Sequence, residues 1–427
     1  MKILIVHQYY LMPGQAGGSR FNEMARLWAE QGHEVTVIAG TVDYASGKTP
    51  DCYHRRWIVK ESDGSVLVYR CHVPATYASS YHGRMWAFLG FTVSASMAAL
   101  RAHRPDIVIA TSPPLVATIP GWVAARLSIH PVPWIFEVRD LWPESAVTTG
   151  VLRAESVLTR ILYRMEKWAC WSAVRINVLT PAFQADMEKR GLGSSDKFCY
   201  VTNGADTDSF QPGPRENMMR KQLGWGDRFV VLYAGAHGRA NALHQLVDAA
   251  EELQDRPDLL IACVGDGSER LRLEEAAASR GLKNIRFHGP QPKSLMPDIV
   301  NACDVGAAVL QNNPTFRTVY PNKVFDYMAC ERPTLIAIDG IARELVCDQA
   351  GAGIFAAAEN PKAIAHAIRF LADHPQRRAE MGVNGRRWIL ANASREVLAA
   401  RYLRIMEGVA GPHTNSVETV RRVERTP

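Results

Sequence analysis

A chain of 427 residues is longer than one hydrophobic core ordinarily serves, about 250 to 300 residues, so it is expected to divide into two domains. Its 47% hydrophobic and 22% charged content fits a globular enzyme and excludes a disordered or fibrous chain. A net charge of +6 is too weak for a nucleic-acid protein, and eight scattered cysteines without a C-x-x-C pair exclude a zinc or redox motif and predict reduced thiols.

Residues 1–6 run straight into a strand-like pattern, the first strand being expected at 3–7, with none of the charged, apolar and small-residue succession of a cleaved leader, which predicts a cytoplasmic protein. Further β-rich runs at 35–39, 66–70, 107–111, 134–138, 175–179 and 198–201 alternate with helical patterns. That alternation predicts a parallel sheet wound with crossover helices. Phe21, Ala25 and Trp28 give the first helix a single apolar face. Two uncharged stretches, 85–100 and 107–125, are too short or too interrupted by Pro113, Pro114 and Pro120 to cross a bilayer.

Residues 1–205 hold 21 Lys and Arg against 16 Asp and Glu, a surplus suited to an anionic membrane surface or an anionic substrate. Within them, Trp86, Phe88, Leu89, Phe91 and Val93 lie between Arg84 on one side and Arg101 and Arg104 on the other. Basic ends with an aromatic middle suit a lipid interface. The competing expectation is a helix whose Leu89, Val93 and Met97 face packs on the sheet.

A second alternating series runs through 229–234, 259–264, 285–288, 305–310 and 334–338, and only helical patterns follow, at 361–372, 377–387 and 394–406. Residues 203–215, rich in Asn, Gly, Asp and Pro, read as a linker between the series. The expected domains are therefore 1–205 and 206–390, each Rossmann-like, then a helix at 391–410 returning toward the first domain and a disordered tail at 411–427.

The motifs that carry chemistry sit after strands. Gly14, Gly17 and Gly18 follow the first strand, and Gly235-Ala236-His237-Gly238 follows the first strand of the second series. Gly265-Asp266-Gly267 follows the next strand. Glycine loops opening helices suit a diphosphate, through backbone N–H groups and the positive end of the helix dipole. Ligands of open α/β sheets bind at the carboxyl ends of the strands, so the loops of the two sheets are expected to face one cleft. The segment from Arg317 to Pro333 holds Thr318, then a Pro-led helix with Asn322 and Lys323 in its first turn and Asp326 one turn on. A cation there can neutralise phosphate and a carboxylate can accept from ribose hydroxyls; a surface ion pair between the two is the alternative. Asp140, at the end of the 134–138 run, can orient or deprotonate an acceptor hydroxyl, or pair with Arg139. Asp206 and Asp208 have the spacing of an acidic metal site but lie in the linker, and no metal is expected.

Six stretches together resemble the retaining family-four glycosyltransferases of the GT-B fold, especially bacterial enzymes of O-antigen, capsule and exopolysaccharide assembly. They are MKILIVHQYY with GHEVTVIAG, FEVRDLWPES, VTNGADTDSF, VLYAGAHG, CVGDGSER and PNKVFDYMACERPTL, and the likeness covers nearly the whole chain. The resemblance implies two Rossmann-like domains and a nucleotide-sugar donor, UDP-linked, held by the C-terminal domain. It implies hexosyl or N-acetylhexosaminyl transfer with retention to a saccharide or polyprenyl-diphosphate-linked acceptor. The family's two glutamates fall on Thr318 and Asp326, and its Arg and Lys near the second glycine loop fall on Ala236 and Asn241. Arg317 and Lys323 are the expected replacements for the missing charge. A nucleotide-sugar epimerase and a non-catalytic nucleotide-sugar-binding partner protein are the other classes this pattern admits.

Overall fold

A computed structural model describes all residues except 13, 14, 16, 44–46, 75–80, 103, 128–130 and 412–427; the expected disordered tail thus lies outside the described residues, apart from Gly411. The chain divides into two units. The first takes in Met1–Met12, Phe21–Val201 and Ala399–Pro427, and the second takes in Pro13–Arg20 and Thr202–Leu398.

The first unit is built on eight strands: β1 (Lys2–Val6), β2 (Glu34–Gly40), β3 (Ile58–Asp63), β4 (Val66–Cys71), β5 (Ile107–Ser112), β6 (Trp134–Val138), β7 (Arg175–Val178) and β8 (Phe198–Tyr200). Their order is β3-β4-β2-β1-β5-β6-β7-β8. All pairs are parallel, as expected, except that the edge strand β3 runs antiparallel to β4. The sequence hides β3 because Ile58-Val59-Lys60-Glu61-Ser62-Asp63 is an edge strand with charge on it, whereas central parallel strands are apolar throughout. Ile107–Ser112 and Trp134–Val138 are buried along their whole length.

The second unit holds β9 (Phe229–Ala234), β10 (Leu259–Val264), β11 (Ile285–Phe287), β12 (Val305–Val309), β13 (Thr334–Ala337) and β14 (Gly353–Phe355), all parallel, in the order β11-β10-β9-β12-β13-β14. Strand β14, three half-buried residues, carries too little apolar sequence to be read beforehand. In each sheet the winding reverses beside its first strand, between β1 and β5 and between β9 and β12. Those reversals open a crevice at the carboxyl ends of the strands.

The stretch 203–215 is tied down rather than loose. Gly213 N–H donates to Asn301 Oδ1, Arg215 reaches Asp304 at 2.8 Å, and Ala205 pairs with Ser394. The last helix, Arg395–Ala410, begins in the second unit, and from Ala399 on it belongs to the first, where Trp28 Nε1 donates to Ala399 O and the Trp28 ring meets Tyr402 edge-on.

The helix Asn322–Ala329 is seated on β12 through Tyr327. Its hydroxyl accepts from Ala234 N–H at 2.9 Å, and its ring lies over Gly306, where an added Cβ would come within 2.2 Å of a ring carbon. Gly306→Ala is therefore expected to destabilise the protein by about 1 to 3 kcal/mol through overpacking. Urea unfolding checks this, and an unchanged midpoint would mean that the helix is not fixed by this contact.

Candidate functional site

In the second unit the reversal lies beside β9, whose end carries Tyr233 and then Gly235. Lys323 reaches across to them: its Nζ sits 3.7 Å from the centre of the Tyr233 ring. A Cβ at Gly235 would stand 3.1 Å from that same Nζ, so the glycine leaves the approach open. Lys323 is half-buried as a whole, and desolvation of its ammonium pushes its pKa down to about 7. Among the described residues this ammonium has no carboxylate partner; the Cys263 thiol near it is pushed up to about 12 by burial and stays neutral. The i,i+3 ion pair with Asp326 is not what holds Lys323. Asp326 is half-buried one turn on.

The glycine loops pack on one another. A Cβ at Gly265 would lie 1.9 Å from Gly235 O, and one at Gly267 would lie 2.6 Å from His237 O. Their N–H groups are already used: Gly235 donates to Val264 O, His237 to Asp266 O, Gly265 to Gly289 O and Gly267 to Asp266 Oδ1. This corrects the expectation of unblocked loop amides at those four positions: the first two bonds tie the loop after β9 to the end of β10 and its loop, the third goes to Gly289 and the fourth stays within its own loop. His237 is fully buried between Tyr233 and Phe287, both ring nitrogens without a partner, and burial lowers its pKa to about 4, which keeps it neutral. Gly235, Asp266 and Gly267 are exposed, Gly238 half-buried.

The structure gives Arg317 a different setting from Lys323. It is exposed on the turn Pro314–Thr318 and donates to Asn312 Oδ1 at 3.4 Å, beside a small hollow walled by Gln311, Phe316 and Asp339. Thr318 donates to Thr315 O within the same turn, and Asn322, at the start of its helix, is exposed. Gly17 and Gly18 are exposed, on the stretch grouped with the second unit, whereas Gly14 lies outside the described residues.

A second cluster sits beside the reversal of the first unit. His7 follows β1, Ser112 ends β5 and Arg139 follows β6. Arg139 Nη1 donates to His7 Nε2 at 3.3 Å. Since Arg only donates, Nδ1 carries the proton and donates to Thr111 Oγ1 at 2.8 Å. Asp140 does not take Arg139 as its partner: its carboxylate accepts from Ser145 Oγ at 2.9 Å and from the Leu141 backbone. Desolvation outweighs those bonds and raises the Asp140 pKa from its ordinary value. Gln8 and Ser112, each 1% exposed, have side-chain polar atoms without partners. Sequence reasoning did not single out His7, Gln8 and Ser112. The available signal was their position, polar groups directly after buried strands.

Asp206 is committed to its own turn, accepting from Asp208 N–H, Ser209 N–H and Ser209 Oγ. Among the described residues no group of three or more His, Cys, Asp or Glu is placed to hold a metal ion.

Residues 215–388 match the family described as Glycosyl transferases group 1, and residues 16–204 that described as Glycosyl transferase 4-like domain. The chain is 25% identical over 336 residues to the putative colanic acid biosynthesis glycosyl transferase WcaI of Escherichia coli (strain K12), covering 77% of this chain and 81% of the relative. Against the probable glycosyltransferase WbjE of Pseudomonas aeruginosa it is 25% identical, over 63% of this chain and 66%, just under two thirds, of the relative. Among solved structures, a sucrose-phosphate synthase from Thermosynechococcus elongatus superposes with a TM-score of 0.74 at 18% identity, over 95% of this chain and 98% of that one. Anabaena HepE in complex with UDP-glucose superposes with a TM-score of 0.70 at 18% identity, over 96% of this chain and all of that one. At such identities the likeness is one of fold.

Proposed function

We propose that this chain, which belongs to the glycosyltransferase group 1 and GT4-like family and has the GT-B fold, moves a sugar from a nucleotide-diphosphate donor, UDP-linked, onto a saccharide or lipid-linked acceptor with retention. The role is in cell-surface polysaccharide assembly, as the name of the E. coli relative suggests. The observation that carries the donor half is Lys323: a desolvated ammonium without a carboxylate partner, at the carboxyl end of a parallel sheet beside its reversal. Buried charges are ordinarily paired, so the missing anion is supplied by the ligand.

As the glycosidic bond to the diphosphate breaks, negative charge grows on the leaving group, and a fixed cation stabilises that state more than the ground state. Lys323 is assigned this role and Arg317 a supporting charge. Gly17, Gly18, Gly235, Gly238, Gly265, Asp266, Gly267, Thr318 and Asn322 line the donor, His237 braces its loop, and Asp326 accepts from the ribose hydroxyls. Asp140 receives the proton of the acceptor hydroxyl. With the diphosphate neutralised by side chains, no divalent ion is required.

The acceptor is lipid-carried in this reading, and the first unit touches an anionic membrane. No helix among the described residues is long and apolar enough to cross one. The helix Tyr81–Arg101 supports surface contact instead. Its buried side sets Phe91 among the small residues Ala87, Ser94, Ala95 and Ala98, while Leu89 and Val93, both more than half exposed, and Trp86, Met97 and Leu100 face outward. The competing expectation, with Leu89, Val93 and Met97 inward, is overturned because small residues let the helix approach its neighbours closely. Phe91 belongs to the core, and the Arg84 side chain lies outside the described residues.

The test is incubation with a panel of nucleotide sugars, with and without a polyprenyl-diphosphate-linked saccharide. Nucleoside diphosphate is expected only when acceptor is present, with activity retained in EDTA. Donor turnover without acceptor would replace this reading by an epimerase, donor binding without turnover by a binding partner, and restoration by magnesium after loss in EDTA would remove the metal-free part.

A further inference from the structure

The helix Val157–Ser172, in the first unit, has an outward face that neither the fold nor the transfer reaction uses. Thr159, Leu162, Glu166, Ala169 and Cys170 point inward, and the one acidic residue among them is neutralised by a two-pronged bond from Arg190 at 2.8 and 3.0 Å. At 100° per residue the exposed positions fall on one opposite arc: Lys167 and Arg160 at one margin, Trp171 and Arg164 in the middle, Val157 and Ile161 at the other. Val157 is 71% exposed, Ile161 52% and Trp171 79%, a cost in water that a folded protein seldom carries three times on one helix face. Trp168 falls on the same arc between Val157 and Ile161, and there it is half-buried against Trp122, ring centres 5.8 Å apart.

We infer that this face docks on an anionic lipid bilayer, Trp171, Val157 and Ile161 entering the headgroup boundary while Arg160, Arg164 and Lys167 bind lipid phosphates. The inference deepens the membrane part of the proposed function and places a second contact on a helix separate from Tyr81–Arg101. Charge decides between occupants. A second copy of the chain meeting this face about a twofold axis would oppose three cations to three cations, with no carboxylate on the exposed arc to offset them. An anionic bilayer complements all three and accepts the apolar side chains as well.

The experiment is sedimentation of the full chain with vesicles of phosphatidylcholine alone or mixed with phosphatidylglycerol, at low and high salt. Wild type is expected to pellet with the anionic vesicles at low salt and to be released by salt. The charge variant Arg160→Gln, Arg164→Gln, Lys167→Gln is expected to partition on the order of 100-fold more weakly, three cations each counting near the surface. Trp171→Ser is expected to weaken binding without changing the salt slope. A charge variant that pellets like wild type overturns the inference, as does a chain that ignores both vesicle types and forms a dimer lost in Trp171→Ser. If only Leu89→Ser with Val93→Ser abolishes pelleting, the contact belongs to the other helix alone. Transfer to a water-soluble acceptor is expected to be unchanged in all these variants. Its absence in wild type would count against the transferase reading and leave the vesicle result standing.

Discussion

Lys323→Ala is expected to lower kcat by about 10²- to 10³-fold, or ~2 to 4 kcal/mol of barrier, the effect of removing one preorganised electrostatic stabiliser. The loss should exceed the loss of donor affinity, because the diphosphate is most charged as it leaves. A pH dependence accompanies it. With the ammonium near half-protonated at pH 7, a diphosphate that favours the charged form draws a proton onto Lys323 as it binds. Nucleotide affinity should therefore fall as pH rises above 7, by up to about tenfold per unit, and Lys323→Ala should lose that slope. Stability runs the opposite way. The folded pKa of about 7 lies below the unfolded 10.5, so between these values the unfolded chain binds the extra proton, and wild type gains stability relative to Lys323→Met as pH rises through that window. Below pH 7 the desolvation cost is fully present, and the Met variant should be the more stable. Titration calorimetry across pH, with thermal unfolding of the ligand-free protein, reads both slopes; wild-type kinetics in Lys323→Ala would remove this residue from the donor site.

Asp140→Asn should reduce kcat by about 10²- to 10⁴-fold with little change in the acceptor KM, the range for loss of a positioned general base. The raised pKa of Asp140 makes it a stronger base and moves the acidic limb of the pH–rate profile to higher pH than an unperturbed aspartate would give. Ser145 opposes that rise through its hydrogen bond, so Ser145→Ala should shift the limb to still higher pH while Asp140 remains in place. A folding defect would not reproduce this shift. Because the folded pKa is raised, wild type loses stability as pH climbs from the unfolded carboxylate value through the folded one, and Asp140→Asn should not be less stable at neutral pH. A rate profile identical in wild type and Ser145→Ala would separate Asp140 from the chemistry.

Much of the fold was legible because parallel strands covered on both faces must be apolar throughout. Ile107–Ser112, Trp134–Val138 and Leu259–Val264 could be read directly, whereas β3 and β14 could not, being an edge strand with charge and a three-residue strand. The same logic placed the glycine loops after their strands. It did not show that these amides are already bonded, those of Gly235 and His237 to the end of β10 and its loop, since that depends on β9 and β10 lying side by side.

The sequence alone determined two wound sheets, the strand ends at which polar and glycine residues cluster, and a Pro-led helix bearing Lys323 and Asp326, because burial period and chain order are local properties. Tertiary structure decided the rest. Lys323 meets Tyr233, distant in sequence, rather than Asp326, and its pKa follows from that long-range packing. Arg139 turns to His7 across β1 and β6, leaving Asp140 to Ser145. On the helix Tyr81–Arg101, periodicity says which residues share a face, but only the neighbouring elements decide which face is covered, and they cover the one with Phe91 set among Ala87, Ser94, Ala95 and Ala98.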